Sequence, residues 1–145
     1  MRKRGRLFAS LLAAPLLLGA ADASDRSIEV TATCEHKATK GRVICDVEIE
    51  AGRGRVAWAD VVVVEAPAFA PPLRSRVAVA DARARTPSRV RIPVAFVATA
   101  QGRGTVTVRG RAVVCGNAVG GGRASCGAAS KEAKTELVVG TDVER

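Results

Sequence analysis

The sequence is poor in the side chains that most catalytic and stacking sites use. Its 145 residues include one His, one Trp, one Met, three Phe and no Tyr, although 48% of them are hydrophobic. Few imidazole groups limit general acid–base chemistry, and few aromatic rings disfavour recognition of bases or sugars by stacking. The length and apolar fraction exclude a long disordered tail, a coiled coil and a large multidomain enzyme, and they fit one domain of ordinary size.

Common catalytic and nucleotide-binding motifs are also missing. The sequence contains no Gly-x-Ser-x-Gly, His-Glu-x-x-His or P-loop pattern. The single histidine, His36, has no second imidazole to act with, so we expect an exposed loop residue rather than a metal ligand or a general base. We therefore predict no catalytic residue, no metal and no cofactor, and we expect that the protein is not an enzyme.

The first 23 residues have the three parts of a secretory signal peptide. Arg2, Lys3, Arg4 and Arg6 precede an apolar run over residues 7–20, and Ala21-Asp22-Ala23 is a small-x-small cleavage signal. That run is 14 residues long, whereas a membrane-spanning helix needs roughly 20. We predict a signal peptide over 1–23 and one exported domain over 24–145, in the periplasm or outside the cell, with no transmembrane segment in the mature chain.

Removal of that leader changes the charge of the protein. The formal net charge falls from +9 to +6, because four basic residues and one acid are lost. The mature chain remains a basic protein.

The four cysteines predict two disulfides. Cys34 and Cys45 enclose ten residues, and so do Cys115 and Cys126. An even number of cysteines in an exported chain is typical of disulfides. Zinc sites usually bring two ligands within about two to four residues of each other, and redox enzymes typically use Cys-x-x-Cys. The spacing fits neither, so structural disulfides are favoured over metal or redox roles.

Each cysteine pair also fits a β-hairpin. Pairing Cys34 with Cys45 places Ala32 opposite Val47 and Val30 opposite Ile49, so the apolar alternation and the disulfide demand the same register. The second pair encloses a glycine-rich segment, and its turn is expected at Gly120-Gly121.

Period-two alternation predicts further strands along most of the chain. Prolines at 67, 71 and 72 predict a loop that crosses between sheets. Pro93 suggests an edge strand or a bulge, and a change of apolar parity at Gly110 suggests a bulge. The unbroken run Val61–Val64 suits a strand that is covered on both faces or lies at the centre of a sandwich. The remaining strands are expected over Arg55–Glu65, Arg76–Ala80, Arg89–Ala98 and Thr105–Cys115. The segment Ser130–Leu137 is ambiguous, because residues 130–136 have a helix-forming composition while 137–139 resemble a strand, and a final strand is favoured.

These elements predict an all-β fold. Seven or eight short strands with frequent turn signals are typical of an antiparallel β-sandwich of immunoglobulin-like architecture, with a barrel as the alternative. The tryptophan and inter-sheet cysteine arrangement of true immunoglobulin domains is absent, because both expected disulfides lie within hairpins.

Arginines are concentrated between residues 74 and 91 and form a candidate anion-binding face. If the strands around Val77 and Val94 pair, at least four guanidinium groups could line one surface, apart from the Glu/Thr face of the first hairpin. Such a face could dock an envelope polysaccharide, a lipid headgroup or an acidic protein, or it could simply be a solvated outer face. Nucleic acid is disfavoured because aromatic platforms are scarce. The six candidate residues are Arg74, Arg76, Arg83, Arg85, Arg89 and Arg91.

Two functional hypotheses remain open. The first is an exported binding or structural module of the bacterial cell envelope, whose partner is a protein or an anionic component and whose sheet edges could accept a partner strand. The second is a soluble periplasmic enzyme or enzyme inhibitor with a site in its loops. Trp58 is expected to anchor the core, as a lone strand tryptophan usually does, although Trp58 and Asp60 could instead face a pocket.

Overall fold

Within the part of the chain that the structure describes, the fold is two packed antiparallel sheets of four strands each. The computed structural model describes residues 26–116 and 124–141. The first sheet has the strand order β1-β2-β6-β5, and the second has the order β4-β3-β7-β8. The strands are β1 (Ile28–Cys34), β2 (Gly41–Ala51), β3 (Arg55–Glu65), β4 (Arg76–Ala78), β5 (Ala84–Arg85), β6 (Arg89–Ala98), β7 (Gly102–Cys115) and β8 (Cys126–Val139).

This arrangement confirms the predicted β-sandwich of immunoglobulin-like architecture. The neighbour relations match the ABED and CFG sheets of that fold, with the three-residue β4 added at the edge beside β3. The predicted signal peptide and the expected turn at Gly120-Gly121 lie outside the described residues.

Both predicted disulfides are present. Cys34 is bonded to Cys45 across β1 and β2, and Cys115 is bonded to Cys126 across β7 and β8. The first hairpin has the predicted register, with Val30 opposite Ile49. The ambiguous segment near the C-terminus is strand throughout and belongs to β8.

The core between the sheets is built mainly from β-branched side chains. The first sheet contributes fully buried side chains that face β3 and β7 across the interface: Val43, Val47 and Ile49 of β2 and Val90, Ile92, Val94 and Phe96 of β6. Leu137 of β8 is fully buried in the second sheet. Burial of such a side chain stabilises the fold by about 1.5–3 kcal/mol. The alternation that defined these strands in the sequence therefore also defines the core.

Gly110 is needed for close packing rather than for a bulge. A Cβ atom at this position would lie 2.7 Å from a methyl carbon of Val30 and 3.1 Å from Cδ1 of Ile49. β7 pairs with β8 in continuous register through Gly110. The expected bulge in β7 is therefore wrong. A glycine stands at this position because side chains of the opposite sheet, from Val30 and Ile49, occupy the space that a larger side chain would need.

The irregular pairing of the second sheet occurs in β3 instead. Val56 pairs with Val114 and Trp58 with Val113, so Ala57 is an extra residue with no partner. This bulge places Val56, Ala59 and Val61 towards the core. The run Val61–Val64 is not covered on both faces, because Val64 is 47% exposed. The alternative of a central strand applies, since β3 lies between β4 and β7 in its sheet.

The segment between β3 and β4 crosses to the first sheet and returns. The amide of Val97 donates to the Pro71 carbonyl, and the amide of Leu73 donates to the Ala95 carbonyl, so this segment lies beside β6. Further along β6, the amide of Arg83 donates to the Arg91 carbonyl. Pro93 falls between these two short partners. On this side of β6, no strand pairs with Pro93, so its missing amide hydrogen removes no hydrogen bond of the sheet. The edge position that the sequence suggested for Pro93 is confirmed.

Polar contacts between β1 and β8 join the two sheets along one side. Lys131 Nζ lies 2.7 Å from a carboxylate oxygen of Glu29. The amide of Gly140 donates to the Lys37 carbonyl, and His36 Nε2 lies 2.7 Å from the Gly140 carbonyl oxygen. His36 is exposed, as expected, and it also ties the loop after β1 to the end of β8.

A candidate anion-binding cleft on the second sheet

The six candidate arginines do not form one face. β4 pairs with β3 of the second sheet, so the strand that carries Val77 does not pair with the strand that carries Val94. The expected single surface is therefore wrong. Arg76 projects over the second sheet, whereas Arg89 and Arg91 lie on β6 of the first sheet. The physical reason is the crossing segment, which returns to the second sheet before β4 begins.

The arginines of the first sheet are paired with acids of the first hairpin. Arg91 lies 3.0 Å from Glu48, and Arg89 lies 3.0 Å from Glu50, because β2 and β6 are neighbours. The hydrogen bond that Arg89 donates to Glu50, followed by the charges of Glu48 and Glu50, raises the pKa of Arg89. The expected separation of an acidic face from a basic face is therefore wrong, since the two sets of charges are interleaved.

The other candidate arginines have separate partners. Arg83 lies 3.4 Å from Asp46, and Arg74 lies 3.5 Å from Asp81. Arg85 donates to the carbonyl oxygens of Val56 and Ala57 at 3.4 and 3.2 Å. Anion binding by these exposed arginines remains a prediction.

Trp58 and Asp60 lie on the outer face of the second sheet. The bulge at Ala57 turns Trp58 away from the core, and the following alternation turns Asp60 the same way. Trp58 is half-buried, so the prediction that it anchors the core is wrong. The structure agrees instead with the alternative, in which Trp58 and Asp60 face a pocket. A bulge reverses which side chains face inward, and simple alternation cannot reveal it.

Asp60 is a buried carboxylate held by two arginines. Its side chain has no exposed surface, yet it lies on the solvent side of the sheet. Arg111 of β7 donates to it from both Nε, at 2.8 Å, and Nη2, while Nε of Arg76 donates at 2.5 Å. The two guanidinium groups therefore form the cover that buries the carboxylate.

Electrostatics keep Asp60 ionised. Burial alone would raise the pKa of its carboxyl group, but hydrogen bonds from Arg111 and Arg76, and then their charges, hold it below 3.8. The Asp60 hydrogen bond correspondingly raises the pKa of Arg111. The group of one carboxylate and two guanidinium ions therefore carries one net positive charge at neutral pH.

The two arginines line an open cleft of about 390 Å³. The guanidinium carbon of Arg76 lies 5.9 Å from the ring centre of Trp58, a cation–π distance. Arg76 and Arg111 keep 58% and 40% of their side-chain surface in contact with solvent. The remaining lining residues come from β7 and β8 and are small or apolar: Ala112, Val113, Ala128, Ala129 and Ser130.

This geometry suits binding of an anion. Arginine presents its N–H donors in a planar fork that matches the oxygens of carboxylates and phosphates. Among residues 26–116 and 124–141, no group of three His, Cys, Asp or Glu side chains is placed to hold a metal ion.

Arg111 and Ser130 are polar members of this cleft that the sequence did not indicate. Arg111 lies 51 positions from Asp60, and no local pattern joins them. The pairing follows from the β3–β7 register, which places Asp60 directly opposite Arg111.

Comparisons with solved structures give distant likenesses. One of them is a structure from work on fibronectin binding and biofilm formation by the AAF fimbriae of enteroaggregative Escherichia coli, with 14% sequence identity and a TM-score of 0.39. The match covers 78% of this chain and 99% of that chain. No protein-family model matches the sequence, and no curated protein matches it. In the part of the chain that the structure describes, no helix has the length and apolar character needed to cross a membrane.

Proposed function

We propose that this protein is an exported binding module of the bacterial cell envelope that docks an anionic component. The observation that carries the proposal is the cleft on the second sheet, where Arg76 and Arg111 share the buried carboxylate of Asp60 and retain a net positive charge. The docking site proposed is thus this cleft rather than the expected six-arginine face.

Export is supported by two independent features. The N-terminal sequence has the pattern of a signal peptide, and both hairpins are closed by disulfides. Disulfides persist in oxidising compartments such as the periplasm and the cell exterior. We place the protein in one of these two compartments.

A binding role is favoured over an enzymatic one by the chemistry of the cleft. Its polar side chains include two arginines and Ser130, which can hold an anion. The one carboxylate beside them, Asp60, is occupied by both guanidinium groups and has no exposed surface. A general base must reach the proton it removes, and Asp60 is not placed to do so.

Retention on immobilised anions tests this proposal. The full chain, expressed for export and purified in oxidised form, is applied to alginate beads and to vesicles containing phosphatidylglycerol. We expect retention on at least one of them, with release as salt is raised, because charge pairing at an exposed surface is screened. Arg76→Gln should lower retention about fivefold or more, since it removes one of the two cations.

Arg109→Gln is the matched control. Arg109 lies two positions from Arg111 on the same strand and face but pairs with Glu132, at 2.6 Å. This variant should be retained like the wild type. Retention on neither anion would contradict the proposal. Loss of retention in Arg89→Gln or Arg91→Gln, but not in Arg76→Gln, would place docking on the first sheet and overturn the cleft.

A further inference from the structure

Asp60 uses only part of the donor capacity of the two arginines. A guanidinium group carries five N–H donors. Arg111 directs one from Nε and one from Nη2 to Asp60, and Arg76 directs one from Nε. The Nη1 group of Arg111 and both terminal nitrogens of Arg76 make no hydrogen bond within the described residues. Each guanidinium group therefore keeps donors for a ligand while Asp60 holds it in place.

The charge of this cluster favours a ligand with a single negative charge. One monoanion neutralises the net positive charge that Asp60 leaves. A phosphate monoester carries about −1.5 to −2 at pH 7, so it would leave excess negative charge beside Asp60. Asp60 has no exposed surface, so solvent would screen this repulsion only weakly.

The lining of the cleft favours a ligand with an apolar body. Trp58, Val113, Ala128 and Ala129 provide ring, methyl and methylene surface next to the arginines, and Ser130 adds one neutral hydroxyl group. The volume, about 390 Å³, lies within the range of about 300–1,000 Å³ typical of small-molecule sites.

We propose that the cleft selects a monocarboxylate attached to a compact apolar body over a phosphate on the same body. This inference rests on the proposed function, since it names the chemical class of anion that the same cleft takes. The carboxylate would lie against the unused edges of Arg76 and Arg111, and the apolar body would lie along Trp58 and the alanines of β8.

Trp58 provides the measurement because it is the single tryptophan and the sequence has no tyrosine. Its fluorescence is followed while the oxidised full chain is titrated with cyclohexanecarboxylate, cyclohexyl phosphate or cyclohexanecarboxamide. None of these three ligands absorbs at the excitation wavelength of tryptophan. We expect saturable binding of the carboxylate, about tenfold weaker binding of the neutral amide because its charge-assisted hydrogen bonds are lost, and weaker binding of the phosphate than of the carboxylate.

Ser130→Glu tests the charge argument without removing an arginine. Ser130 is exposed on the cleft wall, so an added carboxylate can be accommodated in the fold while neutralising the site. We expect carboxylate binding to fall about tenfold or more. Thr39→Glu is the matched control, because it adds the same charge at an exposed position in the loop after β1. It should bind like the wild type.

The outcomes separate this inference from the proposed function. If the phosphate binds as tightly as the carboxylate or more tightly, carboxylate selection is overturned and anion docking stands. If the neutral amide binds as tightly as the carboxylate, the arginines do not select charge and both fail. If none of the three ligands changes Trp58 fluorescence while alginate or vesicles retain the wild type, the compact monocarboxylate is overturned. Equal binding by Ser130→Glu would contradict the location of the site.

Discussion

Replacement of the buried carboxylate, Asp60→Asn, should destabilise the protein substantially. Asn keeps the shape of the side chain but removes its charge and offers an amide group to two guanidinium donors. Breaking a buried charge pair costs about 3–5 kcal/mol, and a hydrogen bond to a charged group contributes about 1.5–3 kcal/mol. Arg76 and Arg111 are 58% and 40% exposed, so water can solvate them after the change.

The expected loss in the free energy of unfolding therefore lies near the lower end of these two ranges, at about 2–3 kcal/mol. For a domain of this size, 1 kcal/mol corresponds to about 4 °C in the unfolding midpoint, so the midpoint should fall by about 8–12 °C. Thermal unfolding followed by far-ultraviolet circular dichroism measures the midpoint. Urea unfolding followed by Trp58 fluorescence measures the free energy of unfolding, because the surroundings of Trp58 change when the second sheet unfolds.

Asp81→Asn is the control for the general cost of removing an acid. Asp81 is half-exposed and lies 3.5 Å from the largely exposed Arg74, so its loss should change the free energy by about 0.5 kcal/mol or less. If Asp60→Asn unfolds within about 2 °C of the wild type, Asp60 does not organise the two arginines and the reasoning about the cleft is refuted.

Three further outcomes follow from the fold. Replacing both Cys34 and Cys45 by Ala should lower the free energy of unfolding by about 3 kcal/mol, which is the chain-entropy value for a loop of this length. Urea unfolding measures this free energy, and an unchanged value would contradict a structural role for the disulfide. Gly110→Ala should lower the free energy of unfolding by about 1–3 kcal/mol, because the added Cβ would lie 2.7 Å from a methyl carbon of Val30. An unfolding midpoint equal to that of the wild type would contradict the close packing of the two sheets at this position. The pKa of Asp60 lies below its ordinary value of 3.8, so its stabilisation is complete above that pH and is lost as pH falls through the lower, folded-state pKa. The difference in unfolding free energy between wild type and Asp60→Asn should therefore shrink on acidification below pH 3.8, and a difference that grows would contradict the assigned direction.

Local patterns in the sequence predicted the hairpins well. Cys34, Cys45 and the alternating apolar residues around them impose one register, so the first hairpin could be derived without knowledge of distant contacts. Pro93 was also interpreted correctly, because a missing amide hydrogen is a local property that excludes pairing on one side.

The candidate site depended on non-local pairing and was less predictable. Arg91 lies opposite Glu48 and Arg111 lies opposite Asp60 only because distant strands are neighbours in the sheets. The bulge at Ala57 then reversed the direction of Trp58. Strand pairing between distant segments leaves no local pattern, and the bulge leaves none in the alternation of β3, so the sequence alone predicts a core position for Trp58.

In the proposed function, Arg76 and Arg111 bind an anion beside Trp58. The most direct measurement is a ¹H–¹⁵N NMR titration of the oxidised protein with cyclohexanecarboxylate, which observes the indole N–H of Trp58 and the Nε–H groups of the arginines. We expect the signals of Trp58, Arg76 and Arg111 to shift together with one saturation curve, while the Nε–H signal of Arg109 stays in place. Saturable shifts confined to other arginines would contradict anion binding in the cleft, and no saturable shift at all would contradict binding of a compact monocarboxylate there.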